Sequence, residues 1–364
     1  MSTLDTLAPA EGAPTAGRPR TKSQGGGFAR YLLVRFLLIF PTIFILVTLV
    51  FFLMRTTGDP ITAAQGGRLS PDALAELRAA AGYDRPILVQ YLEYLSRIVV
   101  FDFGSTLTTN RPVVEVLATY GPATFELVFY SLIVAFAVGI PLGLRAAYHR
   151  DKTQDAIFRV LAIFWYAVPI FFAGLLLKLI FAVWLKWLPV AGRASVGAEL
   201  QLQLLPNKTG FYTIDALMTG NPEVLLDVLS HVVLPAIALG LLTAGIFLRL
   251  VRTNVIGTLS TDYVDAARSR GVAESRLLRK HAYRPALIPI VTVIGLQIAL
   301  LLAGAVLTET TFEWKGLGFI LAEFLESRDF VAVQGIVVLL AIIVALTNFV
   351  VDIIAAFIDP RVRY

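Results

Sequence analysis

The sequence predicts an all-α membrane protein with six transmembrane helices, and two observations carry this prediction. The 364-residue chain is 57% apolar and 16% charged, whereas soluble domains have about 45–50% apolar and 25% charged residues. The apolar excess is concentrated in six windows that together hold only four charged residues: 31–53, 125–144, 160–185, 232–248, 286–307 and 331–358. These windows match or approach the roughly 20 residues that a helix needs to cross about 30 Å of hydrocarbon. A wholly soluble enzyme is excluded.

The distribution of lysine and arginine predicts the orientation of these spans. With the N-terminus in the cytoplasm, the inner segments carry 18 Lys and Arg and 8 acids, and the outer segments carry 11 and 16. Excess Lys and Arg in short loops marks the cytoplasmic side. The short loop 145–159 and the dense segment 249–285 contribute most of this excess. Both termini are therefore expected to be cytoplasmic.

Residues 1–29 are rich in Ala, Gly, Pro, Thr and Ser, a composition that predicts a disordered cytoplasmic tail. The first apolar run is longer than that of a secretory signal peptide, which predicts an uncleaved first span. Residues 30–124 are predicted to comprise this span and a large helical outer loop, and residues 125–364 a core of five spans.

The outer loop carries two helix signals. Ser70 and Pro71 predict the start of a helix that Gly82 ends. A second helix is expected over 87–100, with one apolar face formed by Ile87, Tyr91, Leu95 and Ile98. The loop is either a cap that a partner contacts or a lid packed on the spans.

Several polar residues and prolines lie inside the apolar windows. Pro141, Pro169, Pro235 and Pro289 fall in spans two to five, where each predicts a kink. Arg35 and Glu126 lie near span ends, where snorkelling or capping is expected. Lys178 and Asp352 lie deeper and could pair. Gln297 and Asn348 either face a polar path or form hydrogen bonds between helices.

The inner loop 260–285 between spans four and five predicts a short helix. Asp262 is expected to cap it, Asp265 lies near its positive end, and Arg268 and Arg270 lie near its negative end. Gly271 is expected to end it in a left-handed conformation. Because two helical turns are marginal alone in water, we expect a partner to dock on the small surface of Ala266 and Ala267. A second helix is expected to begin near Ser275.

The inner loop resembles the EAA loop of the permeases of bacterial ABC importers. The resemblance rests on Asp265-Ala-Ala-Arg-Ser-Arg-Gly271 followed after nine residues by His281, with Asp where the motif has Glu. Four further segments resemble the peptide and nickel branch of that family: Asp102-Phe-Gly-Ser105, His231-Val-Val-Leu-Pro235, Thr308-Glu-Thr-Thr-Phe-Glu-Trp-Lys-Gly-Leu-Gly318 and Asp359-Pro-Arg-Val-Arg-Tyr364.

The resemblance implies a permease subunit of an ATP-driven peptide importer in the bacterial cytoplasmic membrane. It implies a second, similar permease, two ATPase subunits that bind ATP, and an external substrate-binding protein as partners, with no enzymatic activity and no cofactor in this chain. The residues implied to couple to the ATPase are Asp265, Ala266, Ala267, Arg268, Arg270, Gly271 and His281. A basic helix lying on anionic lipid is the alternative for this loop. Nickel chelates, oligosaccharides or haem are alternative cargoes within the family.

The segment 308–330 after span five is either an outer gate, as the family suggests, or an aromatic belt at the headgroups. The gate residues would be Phe312, Trp314, Gly316 and Gly318. An autonomous transporter or channel driven by an ion gradient is the alternative function, although no charged relay at mid-membrane is evident. The chain has no cysteine and three distant histidines, which argues against thiolate chemistry and against a metal site. It also has no P-loop motif, so no nucleotide is expected to bind this chain. The net charge of +5 is explained by the Lys and Arg excess of the inner segments, so no nucleic acid partner is expected.

Overall fold

The computed structural model describes residues 25–56, 58–65 and 69–358, with the side chains of 25–29, 279–281, 284, 287, 288, 292, 355 and 358 left out. Every named element in these ranges is helical. The helices are α1 Gly25–Thr56, α2 Pro60–Gln65, α3 Pro71–Ala80, α4 Ile87–Val99, α5 Val113–Tyr148, α6 Thr153–Ala167, α7 Ile170–Leu177, α8 Val196–Gln203, α9 Tyr212–Thr219, α10 Pro222–Leu259, α11 Asp262–Ser269, α12 Glu274–Arg276, α13 Tyr283–Phe312, α14 Leu317–Glu326 and α15 Phe330–Ile358. Two π-helical segments follow α7 and α12, at Lys178–Trp184 and Leu277–Ala282.

The helices agree with the predicted number of spans. Five of them (within α1, α5, α10, α13 and α15) are long and apolar enough to cross a membrane, and a bent helix pair raises the number to six. α1 begins at Gly25, inside the predicted tail. Residues 1–24 of that tail and the motif at 359–364 lie outside the described residues.

The third span, predicted over 160–185 with a kink at Pro169, is broken at that proline. α6 and the helix from Ile170 to Trp184 meet at 102°. Val168 and Pro169 are extended at the break because proline disfavours the helical conformation of the residue before it and has no N–H to donate. Pro141, Pro235 and Pro289 lie instead inside α5, α10 and α13 without ending them.

Glycines hold α10 against α5 at the centre of the bundle. A Cβ at Gly139 would lie 2.7 Å from the carbonyl oxygen of Ala244, and one at Gly240 would lie 2.6 Å from that of Ser131. Larger residues could not occupy these positions without separating the two backbones. Phe247, fully buried, packs beside this contact.

The loop between the first two spans contains the two helices predicted from sequence. The Ser70 hydroxyl accepts a hydrogen bond from the Ala73 N–H at the start of α3. Gly82 after α3 has a φ of +75°. Tyr91 of α4 is buried, and its hydroxyl lies 2.6 Å from Thr48 Oγ1 of α1, whereas Ile87 is half exposed and does not join the predicted apolar face.

The deep charges pair differently from the prediction. Asp352 of α15 lies 3.1 Å from Arg35 of α1, and Lys178 donates to the carbonyl oxygen of Thr311 at 3.1 Å. A Lys178–Asp352 pair is therefore wrong, while the snorkelling of Arg35, whose side chain is 46% exposed, stays a prediction. α1 packs along α15, so the Arg35–Asp352 pair joins the first and last spans.

Candidate functional site

The short helix α11 forms close to the predicted position but is capped differently. Thr261 is its N-cap residue and makes no side-chain capping hydrogen bond. Asp262 is the first helical residue rather than the cap, so the predicted capping role of Asp262 is wrong. Asp262 and Asp265 both lie in the first turn, where carboxylates interact favourably with the helix dipole.

α11 ends in a Schellman motif, as predicted from the position of Gly271. Gly271 has a φ of +80°. Its N–H donates to the Arg268 carbonyl at 2.9 Å, and the Val272 N–H donates to the Ala267 carbonyl at 3.3 Å. These are the two hydrogen bonds that define the motif. The loop therefore leaves the helix in a fixed direction.

One face of α11 anchors it to the bundle. Val264 is fully buried, where α11 packs on the end of α10 and on the π-helical segment before α13. Arg268 pairs with Asp265 of the same helix and reaches Glu274 of α12 at 2.6 Å. Because these three side chains are about half exposed, the pairs stabilise the loop modestly, but they tie α11 to the next helix.

The side of α11 away from Val264 is exposed in the described chain, and Ala267, one turn after Val264, borders the packed side. Ala266 and Arg270 are exposed and Ala267 is partly exposed. Asp265 has 58% of its side chain exposed. The side chain of His281 lies outside the described residues. The result is a small-residue surface on a short helix whose other face and C-terminus are fixed.

The predicted gate residues lie together at the opposite end of the bundle. Phe312 and Trp314 are buried, and the Trp314 indole N–H donates to the Ala123 carbonyl at 2.9 Å. An aromatic belt needs rings exposed to the headgroups, so the burial of these rings argues against that alternative. Their role as a gate stays a prediction.

A carboxylate that the sequence did not single out organises this segment. Glu309 is fully buried and accepts hydrogen bonds from the Thr124 hydroxyl at 2.6 Å and the Phe319 N–H at 2.9 Å. A Cβ at Gly316 would lie 2.5 Å from Glu309 Oε1, and one at Gly318 would lie 2.5 Å from Val306 Cα. Both glycines are therefore required by close approach. Glu309 lies in the segment 308–318, which supports the family resemblance, but no local pattern in the sequence predicts that its side chain is buried.

Glu126 forms a buried ion pair and accepts a first-turn N–H of α9, which is a capping contact, rather than snorkelling. Its carboxylate accepts from Arg193 Nη2 at 2.7 Å, and from the N–H and hydroxyl of Thr213 at 2.7 and 2.6 Å. Arg193 also donates to the Gly210 carbonyl at 2.9 Å and lies 3.6 Å above the ring of Tyr212. Burial raises the pKa of Tyr212 to about 12, so its phenol is neutral beside this pair.

A cavity of about 780 Å³ opens beside Arg193; we call it the distal cleft because it lies at the end of the bundle opposite α11. Its wall comes from the start of α5, the segment 191–215 and the segment 313–319. The charged residues that line it are Arg111, Glu115, Arg193, Glu199, Lys208, Asp215, Glu313 and Lys315. The volume lies in the range of small-molecule sites, about 300–1,000 Å³.

The two polar residues predicted at a path occupy different environments. Gln297 is buried, and its Oε1 has no hydrogen-bond partner in the described part of the chain. Asn348 is exposed, with Oδ1 close against Gly295. Their role in a path stays a prediction. Among the residues described, no group of three or more His, Asp or Glu side chains could hold a metal ion.

Comparison with known proteins places most of the chain in one family. Residues 139–364 match the model of the binding-protein-dependent transport system inner membrane component, and residues 28–128 match the N-terminal region of such components. A di/tripeptide transport system permease protein DppB of Pseudomonas aeruginosa is 38% identical over 90% of this chain and 96% of its own.

Two further permease proteins and one solved structure are similar to the chain. The dipeptide permease protein DppB of Escherichia coli K12 is 37% identical over 92% of this chain and 99% of its own. A glutathione permease protein GsiC of Salmonella typhi is 34% identical over the same shares. An inward-facing structure of the MetNI methionine ABC transporter aligns with a TM-score of 0.49 and 16% identity, over 67% of this chain and 96% of that one.

Proposed function

The chain belongs to the family of binding-protein-dependent transport system inner membrane components, and from that premise we propose that α11 is the helix through which partner ATPases drive it. The chain is a permease subunit of an ABC importer of the peptide type, located in the inner membrane. Members of this family are non-catalytic subunits, and no cofactor is expected here. The ion-gradient transporter considered from the sequence is thereby set aside.

The coupling role places α11 and both termini in the cytoplasm, since the nucleotide-driven subunits act there. The excess of Lys and Arg around α11 supports this orientation. α10 then runs from the outer side, where it begins at Pro222, to the inner side, where it ends at Leu259. The distal cleft and the segment 308–318 lie on the outer side.

One observation carries the coupling proposal. α11 exposes Ala266 on the side away from the buried Val264, Ala267 is partly exposed at the margin of the packed face, and Gly271 fixes the end of the helix. A helix transmits a displacement only when both faces are held. We assign the free face to a cleft on an ATPase subunit, with Asp265 and Arg270 at its edge.

The partners follow from the family. Two ATPase subunits, a second permease and an external substrate-binding protein complete the importer. Span three is lined on its free side by Val160, Ile163 and Phe164, each more than half exposed. This side is covered by lipid or by the second permease.

Short peptides are the proposed cargo. Relatives that align over nearly their full length are named for di- and tripeptides, dipeptides and glutathione. The segment 308–318, held down by Glu309, is proposed to close the outer mouth. Nickel chelates, oligosaccharides and haem remain the alternative cargoes to be compared in uptake assays.

Substitutions at α11 test the coupling proposal. Gly271→Pro imposes a φ near −65° where the chain has +80°, and it removes the N–H that bonds Arg268. Ala267→Arg adds bulk to the free face. In proteoliposomes holding the complete importer, we expect peptide uptake to fall while the complex stays assembled and ATP hydrolysis loses its dependence on the loaded binding protein.

Matched controls lie in the loop between the first two spans. Gly58 has a φ of +112° with nothing within 4 Å of a Cβ, and Ala79 is exposed on α3. Gly58→Pro and Ala79→Arg should leave uptake and coupling unchanged. Undiminished uptake in both α11 variants would rule out the docking role, and uptake by this chain without any ATPase would rule out the importer.

A further inference from the structure

The distal cleft combines a volume of about 780 Å³ with charges of both signs. Among its acids, Asp215 is satisfied within the chain by the Thr209 and Gly210 N–H groups, and Glu115 pairs with Arg111 at 2.6 Å. These groups build the wall of the cleft. They leave the other charges of the lining available.

Four charged side chains of the cleft make no ion pair in the described residues: Lys208, Lys315, Glu199 and Glu313. Glu199 accepts only a hydrogen bond from the Tyr212 hydroxyl, at 3.2 Å. Two cations and two carboxylates without charge partners thus face one cavity. Such a lining favours a ligand that itself carries both a positive and a negative group.

Arg193 supplies an independent observation at the same cavity. Its side chain is 7% exposed and lines the cleft. Its Nε is buried and has no hydrogen-bond partner in the described chain, although its Nη2 is bonded to Glu126 and Gly210. A buried donor without a partner costs free energy, and because this Nε is closed to solvent, a ligand in the cleft reaches it only when the wall at Arg193 moves.

We propose that the distal cleft binds the cargo peptide by its two charged termini, as a station between the binding protein and the membrane path. The terminal carboxylate takes Lys208 and Lys315, and the terminal ammonium takes Glu199 and Glu313. This proposal rests on the proposed function as an outer-facing site of a peptide importer. The proposed charge contacts involve only the two ends of the peptide. The cavity walls contact its middle, so the site accepts peptides of two to a few residues.

Direct binding of trialanine tests this proposal. The complete importer in nanodiscs, without binding protein, is titrated with radiolabelled trialanine by equilibrium dialysis. Lys208→Ala with Lys315→Ala should weaken binding by at least about fivefold, since each exposed charge pair contributes modestly. Trialanine amide should bind the wild type as weakly as trialanine binds the variant, and should lose nothing further on the variant.

The acidic side is tested in the same way. Glu199→Gln with Glu313→Gln keeps the hydrogen-bonding shape and removes the charges, so N-acetyl-trialanine should be insensitive to it while trialanine is weakened. Lys186→Ala is the control, because Lys186 is an exposed lysine of the same side that does not line the cleft. Its affinity for trialanine should equal that of the wild type.

The outcomes separate this proposal from the proposed function. Equal trialanine affinity in wild type and both double variants overturns it, as does the absence of trialanine binding. The proposal is also overturned if the double variants no longer dock the binding protein but bind trialanine like the wild type, because the cleft would then be a protein-docking surface. In each case, ATP hydrolysis that still responds to loaded binding protein leaves the importer function standing.

Discussion

The buried pair of Glu126 and Arg193 gives the sharpest stability prediction. Glu126 is 4% exposed and Arg193 7%, and the carboxylate accepts three hydrogen bonds, one from Arg193 and two from Thr213. Removing one partner of a buried pair costs about 3–5 kcal/mol because the other charge is left uncompensated. We therefore expect Glu126→Leu to destabilise the protein by about that amount.

The second variant separates the pair from its surroundings. Glu126→Gln retains an oxygen that can accept from Thr213 but not the charge, so it should cost less than Glu126→Leu. Replacing both residues, with Glu126→Leu and Arg193→Leu together, should cost less than the sum of the two single changes, because no charge is left unpaired.

The assay is thermal unfolding of the purified complex in detergent, followed by the loss of the monodisperse peak in size-exclusion chromatography. We expect the midpoint temperatures to fall in the order wild type, Glu126→Gln, Glu126→Leu. Lys186→Ala, an exposed residue, should match the wild type. A midpoint for Glu126→Leu equal to that of the wild type, or strictly additive single variants, would refute the reasoning.

Two further predictions concern a close approach and the second buried pair. Gly316→Ala places a Cβ 2.5 Å from Glu309 Oε1, so we expect a lower midpoint temperature and reduced uptake. Gly197→Ala, with nothing within 4 Å of its Cβ, should change neither. Equal behaviour of the two variants would contradict this prediction. Arg252→Met removes two hydrogen bonds of 2.6 and 2.7 Å to Asp155, which keeps the Asp151 N–H and Arg159 as partners, and should cost about 1–3 kcal/mol. Adding Asp155→Asn should restore part of the loss in the same unfolding assay, and a double variant no more stable than Arg252→Met would count against the pair.

Local signals in the sequence were sufficient for the short elements. Ser70 caps α3 and Gly271 ends α11 as predicted, because a cap or a left-handed turn depends on residues within one helical turn. The failed prediction for Asp262 has the same origin: Thr261 and Asp262 are adjacent, and helix boundaries shift by a residue or two.

Pairings across the bundle could not be read in this way. Glu126 and Arg193 stand 67 residues apart, and Asp352 joins Arg35 rather than Lys178. The sequence marks a charge in an apolar window as one that needs a partner. Which partner it finds depends on how the helices pack, and that depends on the glycine contacts between α5 and α10 and on the break at Pro169.

The proposed coupling requires an element that reaches from α11 to the distal cleft, and α10 meets that requirement. It has 38 residues, or about 57 Å at 1.5 Å per residue. Near the end that adjoins α11, Arg252 holds Asp155 of α6, and at its other end α10 begins directly after α9, which carries Tyr212 and Thr213 of the Arg193 cluster. Between these ends it touches α5 through glycines, contacts without polar bonds to break. A displacement applied at α11 can thus move α10 as one body only if the polar contacts at both ends of α10 move with it. Variants of Asp155 and Glu126 should therefore alter coupling as well as stability.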